Sequence, residues 1–538
     1  MKHLLLIAGL ASGLLSPSHK AASTASTELP RCIAEGRLAD LRWPNFLNDR
    51  AAITRFYKLG RFSPAWVRSG VPTPQALALI EDFKAAAAKG LSPEDYDADR
   101  WEARLERLRA AEASPSEVAR FDLALTVSAL RFASDLEFGR VNPEIFHFGL
   151  HNRPDRLKLA EWMRSQLVSS SDVTTALGTL EPPFAAYWRI QQALAVYRTM
   201  ASGGENDALP PGNGLIKPGD LYPAVVKLKE FLQRVGDLPV SSDIPDLAGS
   251  SPLDDLTYAD SLVDAVKRFQ SRHGLAPDGI IGPLTLNALN VPLAQRVRQM
   301  ELTLERWRWL THAFSYPAII INIPEFELRA LDESGRVALR MKVIIGQANG
   351  HQTPLFSAVM THLIFSPYWD VPDSIASEEL LPKAAEDPQY LARNHYELVP
   401  LTLGGVRIRQ APGPDNALGG VKFLLPNEYS VYLHATPAVT LFSKSRRDFS
   451  HGCIRVEGPE ELAQWVLRSN PGWDLENIRQ AMNGERPLQV NLATRIPVFF
   501  VYQTVDVEEN GEVRFFNDMY GHDASLEEAL AAGRLDWL

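Results

Sequence analysis

Cysteine is scarce in this chain: 538 residues hold two, Cys32 and Cys453. In an oxidising compartment two thiols could pair. A thiol used as a nucleophile could not be tied up in that way. No structural disulfide is therefore expected, and Cys32 reads as buried or incidental. Long apolar runs are missing too. Residues 4–15 form a twelve-residue apolar core, where a bilayer span needs ~20. Positive charge is in deficit: 55 Lys and Arg against 65 Asp and Glu leave a net charge of −10. That balance argues against a nucleic-acid or anionic-membrane partner. No internal repeat recurs at a period of ~20–50 residues. No glycine loop follows a strand and opens a helix, so no phosphate cradle is expected. His434, His451 and Cys453 could supply zinc ligands, but no second thiolate or spaced carboxylate joins them. Neither a metal nor another cofactor is expected.

What is present suggests several domains. The length fits three to four at ~150 residues each, and an apolar fraction of 45% gives ample material for cores. Lys2, the apolar core and small residues at Ala21, Ala22 and Ser23 read as an export signal over residues 1–22. An uncleaved anchor or a buried helix is the alternative. Cys32 lacks the preceding small-residue run of a lipoprotein site. A helical scaffold is expected over 40–205. Pro74 opens one helix and Lys89-Gly90 ends it; a second runs from Phe121 to Phe138 without Gly or Pro, and a third covers 182–200. Residues 201–217 are rich in Gly, Pro, Asn and Asp and read as a linker.

A small three-helix domain is expected over 215–292. Its stripes are Val225, Leu228, Leu232 and Val235, then Leu262, Val266 and Phe269, then Leu284, Leu286 and Leu289. Residues 235–260 read as a loop inserted into it. A connecting helix follows over 293–312. From Ala318 the pattern changes to β-branched runs, 319–323 and 341–346, with later strands at 430–434 and 498–507 and a helix opening at Pro459. Residues 313–538 thus read as a mostly β domain in a multidomain α+β chain. Inside it, about 370–425 is a long stretch broken by Pro and Gly, with a helix expected near 373–381. A segment this long reads as a lid or substrate-covering piece.

The chemistry concentrates at Ser450-His451-Gly452-Cys453-Ile454-Arg455-Val456. A thiol reacts as its thiolate and needs a cationic neighbour or a base. His434 ends the alternating run Val431-Tyr432-Leu433-His434 and is the candidate base. Gly452 allows a sharp turn that would aim the Gly452 and Cys453 N–H groups at a developing oxyanion. Without further context, a buried inert cysteine is the commoner outcome.

Tyr432-Leu433-His434-Ala435-Thr436-Pro437, Leu441-Phe442, Arg447 and Ser450 through Val456 resemble the signature of the L,D-transpeptidases, the YkuD-type catalytic domain, in its large multidomain YcbB-like branch. Gly90-Leu91-Ser92-Pro93 and Gly139-Arg140-Val141 resemble that branch's helical scaffold. Phe269-Gln270, His273-Gly274-Leu275, Asp278-Gly279 and Gly282-Pro283 resemble a peptidoglycan-binding domain. Tyr368-Trp369-Asp370-Val371-Pro372 resembles the motif opening the substrate-covering subdomain. The resemblance implies acyl transfer through a Cys453 thioester. The donor is a tetrapeptide stem that loses D-Ala, and an amine of another stem attacks, forming a 3-3 cross-link. It implies His434 as base, the backbone carbonyl of Ala435 as its orienter, and Gly452 at the oxyanion hole. Arg455, Ser450, His451, Tyr432, Trp369 and Tyr368 are expected to meet substrate. It also implies a periplasmic location, stem peptides and glycan as partners, and carbapenem-type β-lactams as covalent inhibitors. A wall carboxypeptidase or cysteine peptidase, with water as acceptor, uses the same residues; a non-catalytic wall-binding protein is the third reading.

Overall fold

The computed structural model describes residues 17–109, 114–150, 152–204, 208–212, 214–239, 256–310, 314–401 and 405–533, with the backbone alone for 17–24. Most of the expected export signal, and residues 240–255 of the expected inserted loop, lie outside these. Among the described residues no helix is long and apolar enough to cross a membrane.

Two compact units form. The first holds the chain up to Asn142 and Arg153–Pro183. Its central helix, Pro115–Phe138, is buried on nearly every side. Ser114 and Glu117 close a reciprocal capping box at its start, and Thr73 caps the helix Pro74–Lys84 through Ala76 N–H. A short ladder pairs β1 (Val67–Arg68) with β2 (Val71–Pro72). Asp122 is fully buried and accepts from Tyr57 Oη and the Ala65 and Trp66 amides. Burial still raises its carboxyl to about 6. The first helix, Pro17–Glu35, adds Ala25, Leu29, Cys32 and Ile33 to this core. The core thus starts ahead of residue 40, where the sequence pattern begins the domain. Cys32 is free and buried.

The second unit holds Pro143–Asn152 and Phe184–Ala529. It includes the helix Ala185–Ser202, which the sequence pattern assigns to the scaffold. The reason is local: Tyr187 Oη accepts from Arg308, and Phe184 packs on Trp307, both on the helix Leu293–Arg308. Next come Val225–Arg234, Asp260–Arg272 and Pro283–Leu289, packed around Leu228, Leu232, Val266 and Phe269. Gln270 ties their Asp278-Gly279 turn together, donating to Asp278 Oδ1 and accepting from Gly279 N–H. Leu209 and Ile216, inside the stretch read as a linker, are buried in this bundle's core.

The remaining strands, in chain order, are β3 (Ala318–Asn322), β4 (Glu327–Leu331), β5 (Val337–Gly346), β6 (Phe356–Phe365), β7 (Trp369–Asp370), β8 (Tyr396–Pro400), β9 (Val406–Gln410), β10 (Val421–Leu424), β11 (Leu433–His434), β12 (Asp448–Ser450), β13 (Ile454–Val456), β14 (Leu488–Val501), β15 (Val505–Val507) and β16 (Val513–Phe515). Nine of them form one sheet in the order β12-β5-β13-β11-β10-β6-β14-β3-β4, and β4 also pairs with β5. The helix Pro459–Val466 buries Leu462, Ala463 and Val466 against this sheet's core.

The stretch expected to be a lid is a small folded subdomain. Strands β7, β9 and β8 form its sheet, with β9 central. Helical turns run from Asp373 to Glu386. Val371, Leu380 and Ile408 make a core of its own, with Trp369 and Tyr396 packed on it.

Candidate active site

Strand β11 is two residues long and carries His434 at its end. It runs antiparallel to β10, with His434 opposite Lys422, and parallel to β13, with His434 opposite Arg455. Register-matched side chains share a face, so Lys422, His434 and Arg455 form a row across three strands. Val421, Phe423, Leu433, Ile454 and Val456 alternate to the other face and are buried.

The ladder is shorter than the alternation over 430–434 suggests. Ser430 has φ 55°, in the left-handed region. Asn427 holds that turn, accepting from the Tyr429 and Val431 amides and donating to Leu425 and Val431 carbonyls. The turn aims the Ser430 carbonyl at the nucleophile: Cys453 Sγ lies 3.9 Å from it.

His434 is buried, and its Nδ1 lies 2.6 Å from the Ala435 carbonyl. A carbonyl can only accept, so Nδ1 carries the proton and Nε2 keeps its lone pair. Burial first, then Arg455, and then Lys422 push the imidazole down to about 3. Gly419 makes the close approach behind it possible: a Cβ there would come within 2.6 Å of Ala435 Cβ.

Cys453 is half-buried and free. Burial pushes its thiol above the ordinary range, while Tyr432, Lys422 and Arg455 pull it back. Burial, and then the nearby Cys453 thiol, raise the Tyr432 hydroxyl above its ordinary range, and the Trp369 indole offsets part of that. No hydrogen bond joins Cys453 to His434; the thiol's partner is Ser430.

The turn carrying Cys453 is clamped from inside. Ser450 Oγ accepts from Gly452 N–H at 3.2 Å and donates to the Cys453 carbonyl at 2.6 Å. Ser450 is buried and its bonds are spent within the turn, so it does not reach substrate as the sequence reading expected. The same bond engages Gly452 N–H within the turn. Cys453 N–H, by contrast, donates no hydrogen bond among the described residues. Gly452 has φ 112°, so its part is to make the turn possible.

Thr353 is a determinant that the sequence reading missed. It is fully buried; its Oγ1 accepts from Gly346 N–H at 2.9 Å and donates to the Gly452 carbonyl at 2.8 Å. Replacing Thr353 with valine keeps the shape but leaves two polar groups unmet, so a loss of ~1–3 kcal/mol is expected. Thr353→Ser should recover most of it. Thermal unfolding of both variants, with the rate of Cys453 alkylation by iodoacetamide, checks this; equal stability for Val and wild type would refute it.

The other expected contact residues sit around this turn. His451 Nε2 is 2.7 Å from Glu379 Oε1 of the lid subdomain, and its ring meets His351 edge-on. Arg455 is half-buried and does not pair with Glu457, which Lys342 holds. Tyr368 lies under Arg409, 3.9 Å from its Cζ. Among the described residues, one acidic group has metal-like convergence: Glu325, Asp506 and Glu508. Arg329, Arg340 and Arg514 already pair with these carboxylates.

Residues 316–486 match the family model of the L,D-transpeptidase catalytic domain. The chain carries an L,D-transpeptidase catalytic domain. Residues 222–289 match a "Putative peptidoglycan binding domain" and 51–194 a "Scaffold domain". The chain is 31% identical over 228 residues to a Haemophilus influenzae protein described as "Putative L,D-transpeptidase". That match takes in 39% of this chain and 45% of the relative, so the chain spans about half of the relative's length.

Proposed function

We propose that this protein is a peptidoglycan L,D-transpeptidase that works through a Cys453 thioester and forms 3-3 cross-links. The observation that carries the reading is the juxtaposition of Cys453, Tyr432 and a neutral, carbonyl-anchored His434 within a transpeptidase-family domain. The thiol first turns from Ser430 toward His434; catalytic hydrogen bonds are often loose before substrate binds. His434 Nε2 takes the thiol proton as sulfur attacks the carbonyl carbon of the L,D bond. Cys453 N–H and the Tyr432 hydroxyl are the donors available to the oxyanion. Collapse breaks the C–N bond, and His434 returns the proton to the leaving D-Ala amine. An acceptor amine then attacks the thioester, loses its proton to His434, and the thiolate leaves to be reprotonated.

Water as acceptor would make the same site a carboxypeptidase. The lid subdomain favours transfer: Glu379 grips His451 beside the nucleophile, and Trp369 interacts with Tyr432. A cover of this kind excludes water from the thioester. Deleting residues 405–420 would not test this cleanly, because it removes the central strand β9. Glu379→Ala is cleaner. The pair is partly exposed, so its loss is worth at most ~1 kcal/mol and should raise hydrolysis relative to cross-linking about 2- to 5-fold. An unchanged product ratio would count against a functional lid.

The chain divisions 215–292, 293–312 and 313–538, membership of the YcbB-like branch, export to the periplasm and acylation by carbapenem-type β-lactams belong to the same proposal. Domains matching peptidoglycan-acting families support an extracytoplasmic setting. The deciding experiment incubates the purified protein with a disaccharide-tetrapeptide and weighs the products. Cross-linked dimer is expected. Tripeptide alone indicates a carboxypeptidase, and unchanged substrate a wall-binding protein.

A further inference from the structure

Lys422 is a half-buried cation for which the steps above give no task. It lies on β10 directly opposite His434, as Arg455 lies opposite His434 on β13. Its ammonium rests 3.7 Å from the centre of the Tyr432 ring. Among the described residues, neither Lys422 nor Arg455 has a carboxylate within salt-bridge distance, and Arg455 Nε is buried without a partner. Cys453 acts on both cations, and after it Asp370 acts on Lys422 and Glu379 on Arg455, each from beyond ion-pair distance. Two partly desolvated cations thus bracket a neutral base. Such charges are costly to leave unpaired, and an arriving anion would find them already in position.

The order of the strands says which anion. Cys453 precedes β13, His434 sits on β11, and Lys422 sits on β10. Under the proposed function, the scissile carbon lies over Cys453 and the leaving nitrogen over His434. One strand spacing further, ~4.8 Å on, is Lys422. In a donor whose last residue leaves, a carboxylate is attached one carbon beyond that nitrogen. We propose that Lys422 seats the free α-carboxylate of the leaving residue, and so selects donors that end immediately after the scissile bond. A longer stem has an amide at that point, which leaves the ammonium unpaired. The inference rests on the proposed function and adds to it the residue that reads donor length.

The test compares a tetrapeptide donor ending in a free acid with the same donor ending in a carboxamide. Wild type should favour the acid in kcat/KM by about 10- to 100-fold, the range of one charge-assisted hydrogen bond. Lys422→Met should bring that ratio close to unity, mainly by losing the acid donor, and Lys422→Arg should keep part of it. The Met variant should also move the acidic limb of the rate profile to higher pH, because one of the cations depressing His434 is gone. If Lys422→Met slows both donors alike and the ratio stays, Lys422 only tunes the field and the inference falls while the proposed function stands. If wild type releases no product from either donor, both fall together.

Discussion

Cys453→Ala is expected to abolish acyl transfer while the protein stays folded. Cys453 is one of two cysteines, and the other, Cys32, is buried in the first unit's core. No replacement nucleophile stands ready in the turn. Ser450 comes nearest in sequence, but its hydroxyl is locked between Gly452 N–H and the Cys453 carbonyl. The fold should hardly notice the change. The half-buried thiol makes one long hydrogen bond, 3.9 Å to Ser430, beside the polar Tyr432, so the cost should stay within ~1 kcal/mol, about 2–4 °C for a domain of ~150–250 residues. The measurement is intact mass after incubation with a thiol-reactive acyl donor or a carbapenem. One adduct on the Cys453 peptide is expected in wild type and none in the variant. Cys32→Ser should keep full turnover. An adduct confined to Cys32, or residual transfer by Cys453→Ala, would end the thioester mechanism.

How far the site could be read ahead of its coordinates depends on the range of each interaction. The pairing of a scarce thiol with a histidine at a strand end is visible in one short segment. So are the helices opened by Pro74 and Pro459, because caps and first-turn prolines act within a few residues. Strand β6 was not visible: its two-residue alternation is broken, and its pairing with β14 shifts register between Asn491 and Ile496. Strands β8 and β9 hide in a stretch that looks like loop, since two-residue alternation there is weak and glycines flank it. Thr353, Lys422 and Glu379 reach the site only through register or through the lid subdomain, and no local pattern announces them. Lys422 did leave a trace: it is the lone cation in Val421-Lys422-Phe423-Leu424, an otherwise apolar strand. Ser450 shows the converse case: its nearness to Cys453 suggests contact with substrate, but a turn this tight spends the hydroxyl on itself.

His434→Ala should lower the rate of Cys453 acylation by about 10²- to 10⁴-fold, the ordinary worth of general acid–base help. The thiol is held above its normal range by burial, so little thiolate exists at neutral pH without a base. The pH profile distinguishes how that help is delivered. In a resting thiolate–imidazolium pair, His434 would be the cationic partner. Here burial, Arg455 and Lys422 hold it neutral, down to about 3. A depressed pKa leaves the base competent at any pH above that value. Acylation by wild type should therefore stay level from about pH 7 down to about pH 5 and fall only toward pH 3, with no inflection at the free-imidazole value of ~6.5. The same sign governs stability. A histidine buried neutral contributes stability that is fully present above its unfolded value of ~6.5 and is lost as pH falls toward about 3. His434→Ala should thus be less acid-sensitive in unfolding than wild type, even if its stability at pH 7 is lower. Rates per folded molecule and unfolding curves at pH 7, 5 and 4 separate the two effects. An acylation limb centred near 6.5, or a variant that loses melting temperature but keeps its rate, would remove His434 from the chemistry and leave it a packing residue at the end of β11.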